Sequence, residues 1–330
     1  MKIHLVSLRQ ASLDAMIELH RVAEPPLHQL VSDPADADMI VFVGSVPLYG
    51  DGIVDSPLPR LYPEKCFMYW DDDAVVSLLP GIYTNAVIPR WPNLHRTASH
   101  HFIDALNPHV NPLPGVEKRY LVSFAGGSTS VLRKKLYKIN YGRPDVLIRN
   151  TSNYYHWDPT QGGREARQKE YAETIAASHF GLCPRGASAG GLRLFEVMQM
   201  GVAPVVVSDK LLLPEGPAWD TFCIRIPERK LKQIPQILER YLPESADRGR
   251  LARLAYEQYF APPVMFNGII ATYCRMLEQR KVPERWIHPF WGYILWRRRF
   301  RNDTRTLARN MVLGLFRLLR LRFIYDLNRP

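Results

Sequence analysis

The stretch Ser178–Asp209, SHFGLCPRGASAGGLRLFEVMQMGVAPVVVSD, decides the fold of this 330-residue chain. It predicts a strand that ends at Pro184, a glycine-rich loop, a helix from Leu192 and a second strand over Val202–Val207. Gly201 is placed to cap the helix, and the β-branched run after it is typical of a buried parallel strand. A strand, loop, helix and strand in this order predict an α/β fold with a parallel sheet.

The loop of residues 185–191 has the composition of a binding site for an anionic ligand. Its small residues let the backbone approach a ligand, and the helix after it directs free N–H groups to the same end. Arginines at that end pair well with phosphate, and the alternative for each is a structural pairing with a carboxylate. Glu196 either binds a ribose or sugar hydroxyl or pairs with Arg193 one helical turn before it. The predicted ligand residues of this block are Arg185, Gly186, Ser188, Arg193 and Glu196.

The order of residues in this block resembles the C-terminal half of the exostosin-type glycosyltransferases. In that family Ser-x-Phe-x-Leu-x-Pro-x-Gly is followed by Arg-Leu-x-Glu, Gly-x-x-Pro-Val-x-x-x-Asp and Leu-Pro. The matching positions here are Ser178, Phe180, Leu182, Pro184, Gly186, Arg193, Leu194, Glu196, Gly201, Pro204, Val205, Asp209, Leu213 and Pro214. Trp219, Phe222 and Ile226-Pro227-Glu228 extend a likeness that is sharp over residues 171–238.

The resemblance implies a GT-B fold, in which two Rossmann-like domains with parallel sheets face a cleft. It also implies an inverting glycosyltransferase that moves a sugar from a nucleotide diphosphate sugar, here a UDP-sugar, to a glycan or lipid-linked glycan in surface polysaccharide synthesis. Because no metal motif is readable, we expect arginines to hold the leaving diphosphate, with no metal and no separate cofactor. Gly190-Gly191 and Glu215-Gly216 depart from the family pattern and leave the identity of the sugar open.

Three segments are predicted along the chain: an acceptor-side domain over 1–115, a nucleotide-sugar domain over 116–282 and a basic amphipathic helical tail over 283–330. The proline-rich run NPHVNPLPG, residues 107–115, is the predicted linker. Helices over about 231–279 either complete the second domain or cross back to the first. The second domain opens with an apolar strand that runs into a glycine pair, which either approaches the ligand or forms a simple turn. That strand and the next helix add Gly126, Gly127 and Arg133 to the predicted donor site.

Inversion needs a general base for the acceptor hydroxyl, and the N-terminal domain should supply it. A predicted strand there ends in Asp71, Asp72 and Asp73, and neighbouring carboxylates raise one another's pKa. Asp72 is the predicted catalytic residue, and the alternative is a solvated acidic turn. His100 and His101 are other candidate bases, although adjacent histidines in a proline-rich region are more typical of packing.

The positive charge of the protein is concentrated in its tail. Of the formal net charge of +11, residues 284–330 contribute +8, from eleven arginines against three carboxylates. The rest of the chain is nearly neutral, so no nucleic-acid partner is expected. The tail either lies on an anionic membrane surface, with Trp286, Trp291 and Trp296 as anchors, or packs on the body of the protein. Six arginines are spaced to share one side of the predicted helix: Arg298, Arg301, Arg305, Arg309, Arg317 and Arg320.

The scattered positions of the four cysteines favour reduced thiols and give no zinc spacing. The first ten residues, MKIHLVSLRQ, are too weakly apolar for a signal peptide, so we expect a cytoplasmic protein, held at the inner membrane face if the tail binds lipid. Two other functions stay open. One is a non-catalytic nucleotide- or glycan-binding module that keeps the donor pocket without a base. The other, less favoured, is nucleic-acid binding through the basic tail alone.

Overall fold

The computed structural model describes residues 1–45, 51–72, 77–88, 95–104, 106–153, 163–297 and 300. The chain divides into two compact units, Met1–Lys281 and Val282–Pro330. The larger unit contains two parallel sheets, each covered by helices, and the described part of the smaller unit is helical.

The N-terminal sheet has six parallel strands in the order β2-β1-β3-β4-β5-β6. Its strands are β1 (Lys2–Ser7), β2 (Gln29–Leu30), β3 (Met39–Val43), β4 (Cys66–Trp70), β5 (Gly81–Tyr83) and β6 (Thr97–Ala98). Every residue of β3 and β4 is buried, as expected of apolar runs in a sheet covered on both faces.

The C-terminal sheet has five parallel strands in the order β11-β10-β9-β7-β8. Its strands are β7 (Tyr120–Gly126), β8 (Val146–Asn150), β9 (Ser178–Pro184), β10 (Ala203–Val207) and β11 (Ile224–Arg225). In each sheet the chain begins one strand in from an edge, forms the edge strand and then returns to build the other side. This doubly wound order confirms the predicted α/β, GT-B fold with two Rossmann-like domains.

Nine α-helices connect or cover the strands in the described part of the larger unit. They are α1 (Gln10–Arg21), α2 (Asp51–Val54), α3 (Leu58–Leu61), α4 (Val131–Tyr137), α5 (Arg164–Ala176), α6 (Arg193–Gln199), α7 (Ile234–Glu239), α8 (Ser245–Tyr259) and α9 (Pro262–Glu278). Helix α10 (Glu284–Ile287) and the helical residues 291–297 lie in the smaller unit. Short 3₁₀ turns occupy Trp219–Thr221, Glu228–Gln233, Leu242–Glu244 and His288–Phe290. No helix within the described ranges is long and apolar enough to cross a membrane.

The strand, loop, helix and strand predicted from Ser178–Asp209 are present as β9, α6 and β10. The first strand ends at Pro184, and the helix begins at Arg193, one residue after the predicted start. Gly201 has a φ of +68°, the left-handed conformation that ends a helix, and its N–H donates to the Met198 carbonyl at 3.0 Å. The capping role expected of this glycine is therefore present.

Helix α9 belongs to the core of the N-terminal sheet. Its apolar side chains, including Phe266 and Ile269, share a buried cluster with Ile3 of β1. The ring of Tyr273 stacks on that of Phe67 at 4.8 Å, and its hydroxyl donates to the Met68 carbonyl at 3.1 Å. The predicted second domain, 116–282, therefore ends in a helix that completes the first domain.

The two sheets are also joined directly, through the loops at their carboxyl ends. The Ile88 N–H donates to the Lys210 carbonyl at 2.8 Å, and the Leu212 N–H donates to the Ala86 carbonyl at 3.1 Å. These bonds flank an antiparallel bridge between Val87 and Leu211. The loop after β5 is thus tied to the loop after β10.

Candidate active site

The candidate site lies where β7 and β9, neighbours in the C-terminal sheet, send the chain in opposite directions. In doubly wound sheets a crevice forms beyond the carboxyl ends of such strands, and ligands bind there. Gly126 and Gly127 follow the apolar part of β7, and the loop 185–191 follows β9. The structure therefore brings the two predicted halves of the donor site to one crevice.

Arg133 of helix α4 ties the two loops together. Its Nη1 donates to the Gly127 carbonyl at 3.2 Å, while Nε and Nη2 donate to the Pro184 carbonyl at 3.3 and 3.1 Å. Ser130, which caps this helix by accepting from the Arg133 N–H, also donates to the Arg185 carbonyl at 3.2 Å. The start of α4 thus fixes the separation of the loops.

Arg193 lies at the base of the crevice, between the end of β7 and helix α5. Its Nε donates to the Tyr171 hydroxyl at 3.0 Å, and its Nη2 donates to the Ala125 carbonyl. The guanidinium also lies 4.4 Å from the centre of the Phe124 ring, within the range of a cation–π contact. Nη1 is buried and has no hydrogen-bond partner among the described residues. One donor of this side chain is therefore left for a bound group.

Phe124 and Arg193 together favour glycine at position 126. A Cβ at position 126 would lie 3.0 Å from Arg193 Nη1 and 2.9 Å from Cζ of Phe124. The absence of a side chain at Gly126 therefore lets the Arg193 guanidinium lie close to the end of β7. At Gly127 a Cβ would meet only Thr129, at 3.7 Å, so that position is more open.

Glu196 is linked to Arg193 through Tyr171. The Tyr171 hydroxyl donates to Oε2 of Glu196 at 2.5 Å and accepts from Arg193. Burial holds the pKa of Tyr171 well above its usual value of 10, so the hydroxyl keeps the proton that it donates. Glu196 is only 8% exposed. The sequence identified the arginine and the glutamate but not Tyr171, which carries no motif beyond its place at the edge of the family likeness.

Arg185 forms a two-pronged ion pair with Glu228, in the turn after β11. Its Nε donates to Oε1 at 2.7 Å and its Nη2 to Oε2 at 3.1 Å. Burial acts to raise the pKa of Glu228, but the Arg185 hydrogen bond and the Asp209 amide outweigh it and lower the pKa. The structural pairing left open for the predicted arginines is thus present at Arg185.

The small residues of the loop after β9 divide into covered and open positions. At Gly186 a Cβ would lie 3.2 Å from Thr129 Oγ1, so this glycine lets the two loops meet. Ser188 is half-buried, and a Cβ at Gly191 would meet no described residue within 4 Å. A Cβ at Gly190 would lie 2.9 Å from Oδ1 of Asn85, a residue of the N-terminal domain. The donor-side loop therefore touches the acceptor-side domain.

The acidic run after β4 lies beside that contact. Asp71 is 7% exposed, Asp72 is exposed, and Asp73 lies outside the described residues. The side-chain amide of Asn85 donates to the Asp72 carbonyl at 3.3 Å. One asparagine therefore spans from the acidic run to Gly190 of the donor-side loop.

At this edge of the sheet the Asp71 carboxyl has a strongly shifted pKa. Burial raises its pKa to about 7, although the charge of Arg9 and the nearby Ile103 amide act to lower it and Asp72 adds to the rise. Neither carboxyl oxygen has a hydrogen bond of good geometry to a described residue. Arg9 itself forms an ion pair with Asp104. A carboxyl group with this pKa can take up a proton near neutral pH.

His100 and His101, the alternative bases, are packing residues at the contact between the domains. His101 stacks on Phe195 of α6 with ring centres 4.3 Å apart, and His100 meets Phe260 edge-on at 5.3 Å. Burial lowers the pKa of each histidine to about 3. Both are neutral and enclosed, which fits packing better than proton transfer.

Within the described ranges no three His, Cys, Asp or Glu side chains come together as metal ligands would. The four cysteines are free, and three of them are buried. A metal-independent reaction remains a prediction from the sequence.

Comparisons with known proteins show which domain this region of the chain is similar to. The Exostosin GT47 domain model matches residues 83–241, which include both loops of the crevice. An Exostosin-1 homolog of Caenorhabditis elegans is 33% identical over 135 residues, covering 37% of this chain and 35% of the relative. Exostosin-1 of Drosophila melanogaster is 30% identical over 177 residues, covering 49% of this chain and 23% of the relative. The chain therefore matches about a third or less of the length of these relatives.

Among solved structures, an α1,3-fucosyltransferase with GDP-fucose has a TM-score of 0.42 at 12% identity, covering 86% of this chain and 92% of that one. Anabaena Alr3699/HepE in complex with UDP also has a TM-score of 0.42, at 10% identity, covering 84% of this chain and 99% of that one. From the domain match and the exostosin relatives, residues 83–241 of the chain are similar to the domain of the exostosin-type glycosyltransferases.

Proposed function

We propose that the protein transfers a sugar, with inversion, from a nucleotide diphosphate sugar to a glycan or lipid-linked glycan in surface polysaccharide synthesis. A UDP-sugar is the proposed donor, and no metal ion is proposed to take part. The observation that carries the proposal is the crevice between β7 and β9, where two glycine-bearing loops meet over Arg133, Arg193 and Glu196. The match of residues 83–241 to the Exostosin GT47 domain supports the reaction class.

The proposed donor site binds the diphosphate above the two loops. Negative charge grows on the leaving diphosphate as the glycosidic bond breaks, so fixed positive groups lower the barrier. We assign this role to Arg133 and Arg193, because hydrogen bonds hold both guanidinium groups at the crevice. Arg185 contributes less to the positive electrostatic potential at the crevice, because the negative charge of Glu228 offsets its own. The buried Glu196, held by Tyr171, is the proposed partner of a ribose or sugar hydroxyl.

We assign the general base to Asp71, the neighbour of the Asp72 predicted from sequence. In the proposed step the acceptor hydroxyl gives its proton to the Asp71 carboxylate while its oxygen attacks the anomeric carbon. The bond from that carbon to the diphosphate oxygen breaks, and the nucleotide diphosphate leaves with the bonding electrons. Asp71 suits the role because its pKa is about 7 and because Asn85 links the acidic run to the donor-side loop.

The experiment is calorimetry with a panel of nucleotide sugars, followed by a transfer assay with the donor that binds. Asp71→Asn, which cannot accept a proton, should lower kcat by about 10²-fold or more while donor affinity stays within about twofold. Asp72→Asn is the matched neighbour control and should keep most of the activity. Chelator should leave the rate unchanged.

Several outcomes would contradict the proposal. If Asp72→Asn is inactive and Asp71→Asn is active, the sequence-based assignment of Asp72 is right and ours is wrong. If a nucleotide binds but neither transfer nor donor hydrolysis occurs with a broad acceptor panel, the protein is a non-catalytic binding module. If no nucleotide sugar binds, the donor site itself is wrongly assigned.

A further inference from the structure

The described part of the tail unit carries a row of exposed aromatic side chains. Each is between 56% and 65% exposed, whereas large aromatic residues are usually well buried. The row, called here the aromatic row, consists of Trp286, Phe290, Tyr293, Trp296 and Phe300.

The row lies on one side of a helical segment. Its members follow one another at intervals of four, three, three and four residues, which is the spacing of a single helix face. The chain is helical over Glu284–Ile287 and again over 291–297. The rings of Tyr293 and Trp296 stack at 6.0 Å, and those of Trp296 and Phe300 at 5.6 Å. The last three rings of the row therefore form one stacked apolar strip.

The same segment also has a covered side, which shows that the exposure of the row is selective. Trp291 is 6% exposed, and its ring packs on that of His288 at 4.5 Å. A helix that exposes five aromatic rings while burying another presents a surface for a partner, because a contiguous apolar patch is unfavourable in water.

The positive charge next to the aromatic row indicates an anionic partner. Arg297 is exposed, and in the sequence Arg298 and Arg299 precede Phe300 and Arg301 follows it. The tail as a whole carries a surplus of +8. Tryptophan, tyrosine and phenylalanine favour the boundary between headgroups and acyl chains, and arginines are attracted to the anionic headgroups there.

We propose that the aromatic row is a docking surface for an anionic lipid bilayer. The rings enter the interfacial layer, and the neighbouring arginines contact lipid phosphates. Single-stranded nucleic acid fits less well, because bases stack on open ring faces and three rings of the row already stack on one another. The inference rests on the tail alone and does not depend on the donor site.

The test is co-sedimentation of the full-length chain with vesicles of equal parts phosphatidylglycerol and phosphatidylcholine. Replacing Phe290, Tyr293, Trp296 and Phe300 together by Ser should reduce binding about tenfold or more. The matched control is Leu61→Ser with Val131→Ser, two side chains of the larger unit that are 64% and 61% exposed, and it should bind like the wild type. Vesicles of phosphatidylcholine alone should bind about tenfold more weakly.

The replaced side chains are exposed, so we expect an unchanged Tm. If the fourfold variant nevertheless fails to fold, Arg297→Glu tests the same surface with its rings intact and should weaken binding to the anionic vesicles. Equal vesicle binding by the wild type and the variants would overturn the proposal. So would binding of a single-stranded RNA oligomer without vesicle binding, or a wild-type dimer that the fourfold variant dissociates, since these would assign the row to nucleic acid or to a second copy.

Discussion

At the scale of single residues, Asp71 combines burial with a lack of good hydrogen bonds. A carboxylate in such a place is disfavoured, so the folded protein binds a proton more tightly than the unfolded chain does. Its pKa is about 7 in the fold and near 3.8 otherwise. Between these two values stability falls as the pH rises, and above about pH 7 the full cost of burying the charge is present.

Asp71→Asn should therefore make the protein more stable at alkaline pH. At about pH 8 we expect a Tm higher than that of the wild type by about 4 °C or more, because the amide removes a buried charge. Below about pH 4 the difference in Tm should vanish, since the Asp71 carboxyl of the wild type is then protonated in both the folded and the unfolded protein. Thermal unfolding followed by circular dichroism over this pH range checks it. A Tm gain that is the same at every pH would show that the carboxyl group is not perturbed.

The sequence could predict the chemical types at the site but not their partners. Three consecutive aspartates follow β4, and nothing in their order tells which one is buried. That depends on the segment near Ile103, about thirty residues later, which lies against Asp71. In the same way the sequence identified Arg193 and Glu196, but the Tyr171 hydroxyl between them comes from a different helix.

At the scale of elements, helices α6 and α8 approach closely at two glycines. A Cβ at Gly249 of α8 would lie 2.3 Å from the Gly201 carbonyl oxygen, at the end of α6. No rotamer change relieves such a contact, because backbone is on both sides. Since α6 carries Arg193 and Glu196, the position of α8 helps to set the position of the site.

Gly249→Ala should destabilise the protein by about 2 kcal/mol or more, since one of the two helices has to move. Gly268→Ala is the matched control: Gly268 is also a helical glycine, but its Cβ would meet neighbours only at 3.9 Å. That change should be neutral or stabilising by up to about 1 kcal/mol, because alanine favours helix. Urea unfolding of both variants tests the difference. Equal effects would refute the close approach.

The elements around β9, α6 and β10 follow from local sequence, which is why their limits were predictable to within a residue. The packing position of α9, in contrast, could not be predicted from local sequence. Its apolar spacing predicts a buried face but contains no information on which sheet receives it, and contacts such as Tyr273 with Met68 join residues about two hundred positions apart. Long-range packing of this kind is absent from local patterns.

At the scale of the whole molecule, the two sheet domains of the larger unit are held together partly by buried imidazoles. His101 stacks on Phe195 and meets Tyr256 of α8 at 6.0 Å, while His100 meets Phe260. Both histidines are neutral in the fold, with pKa values near 3 that lie below the ordinary value of 6.5. The unfolded chain therefore takes up protons that the native protein does not, as the pH falls from 6.5 towards 3.

Acidification below about pH 6.5 should lower the free energy of unfolding by up to about 1.4 kcal/mol per pH unit for each of the two histidines. The double variant His100→Gln with His101→Gln should lack this contribution to the slope of unfolding free energy against pH, even if packing defects lower its stability at every pH. His109→Gln, at a half-buried histidine outside this contact, is the control. Asp71 opposes the trend over part of the range, so wild-type and variant slopes are compared in urea titrations. Identical slopes would show that the imidazoles are not enclosed.

The crossing of α9 also fixes the order in which the chain can finish folding. During synthesis the strands of the first sheet are complete when residue 98 has left the ribosome, but α9, which shares a buried cluster with α1 on this sheet, arrives only with residues 262–278. The C-terminal sheet, made in between, has all its strands by residue 225 and can consolidate first. The first domain to be translated is thus the last to be completed, and a chain released before residue 262 leaves α1 on its first sheet without α9 beside it.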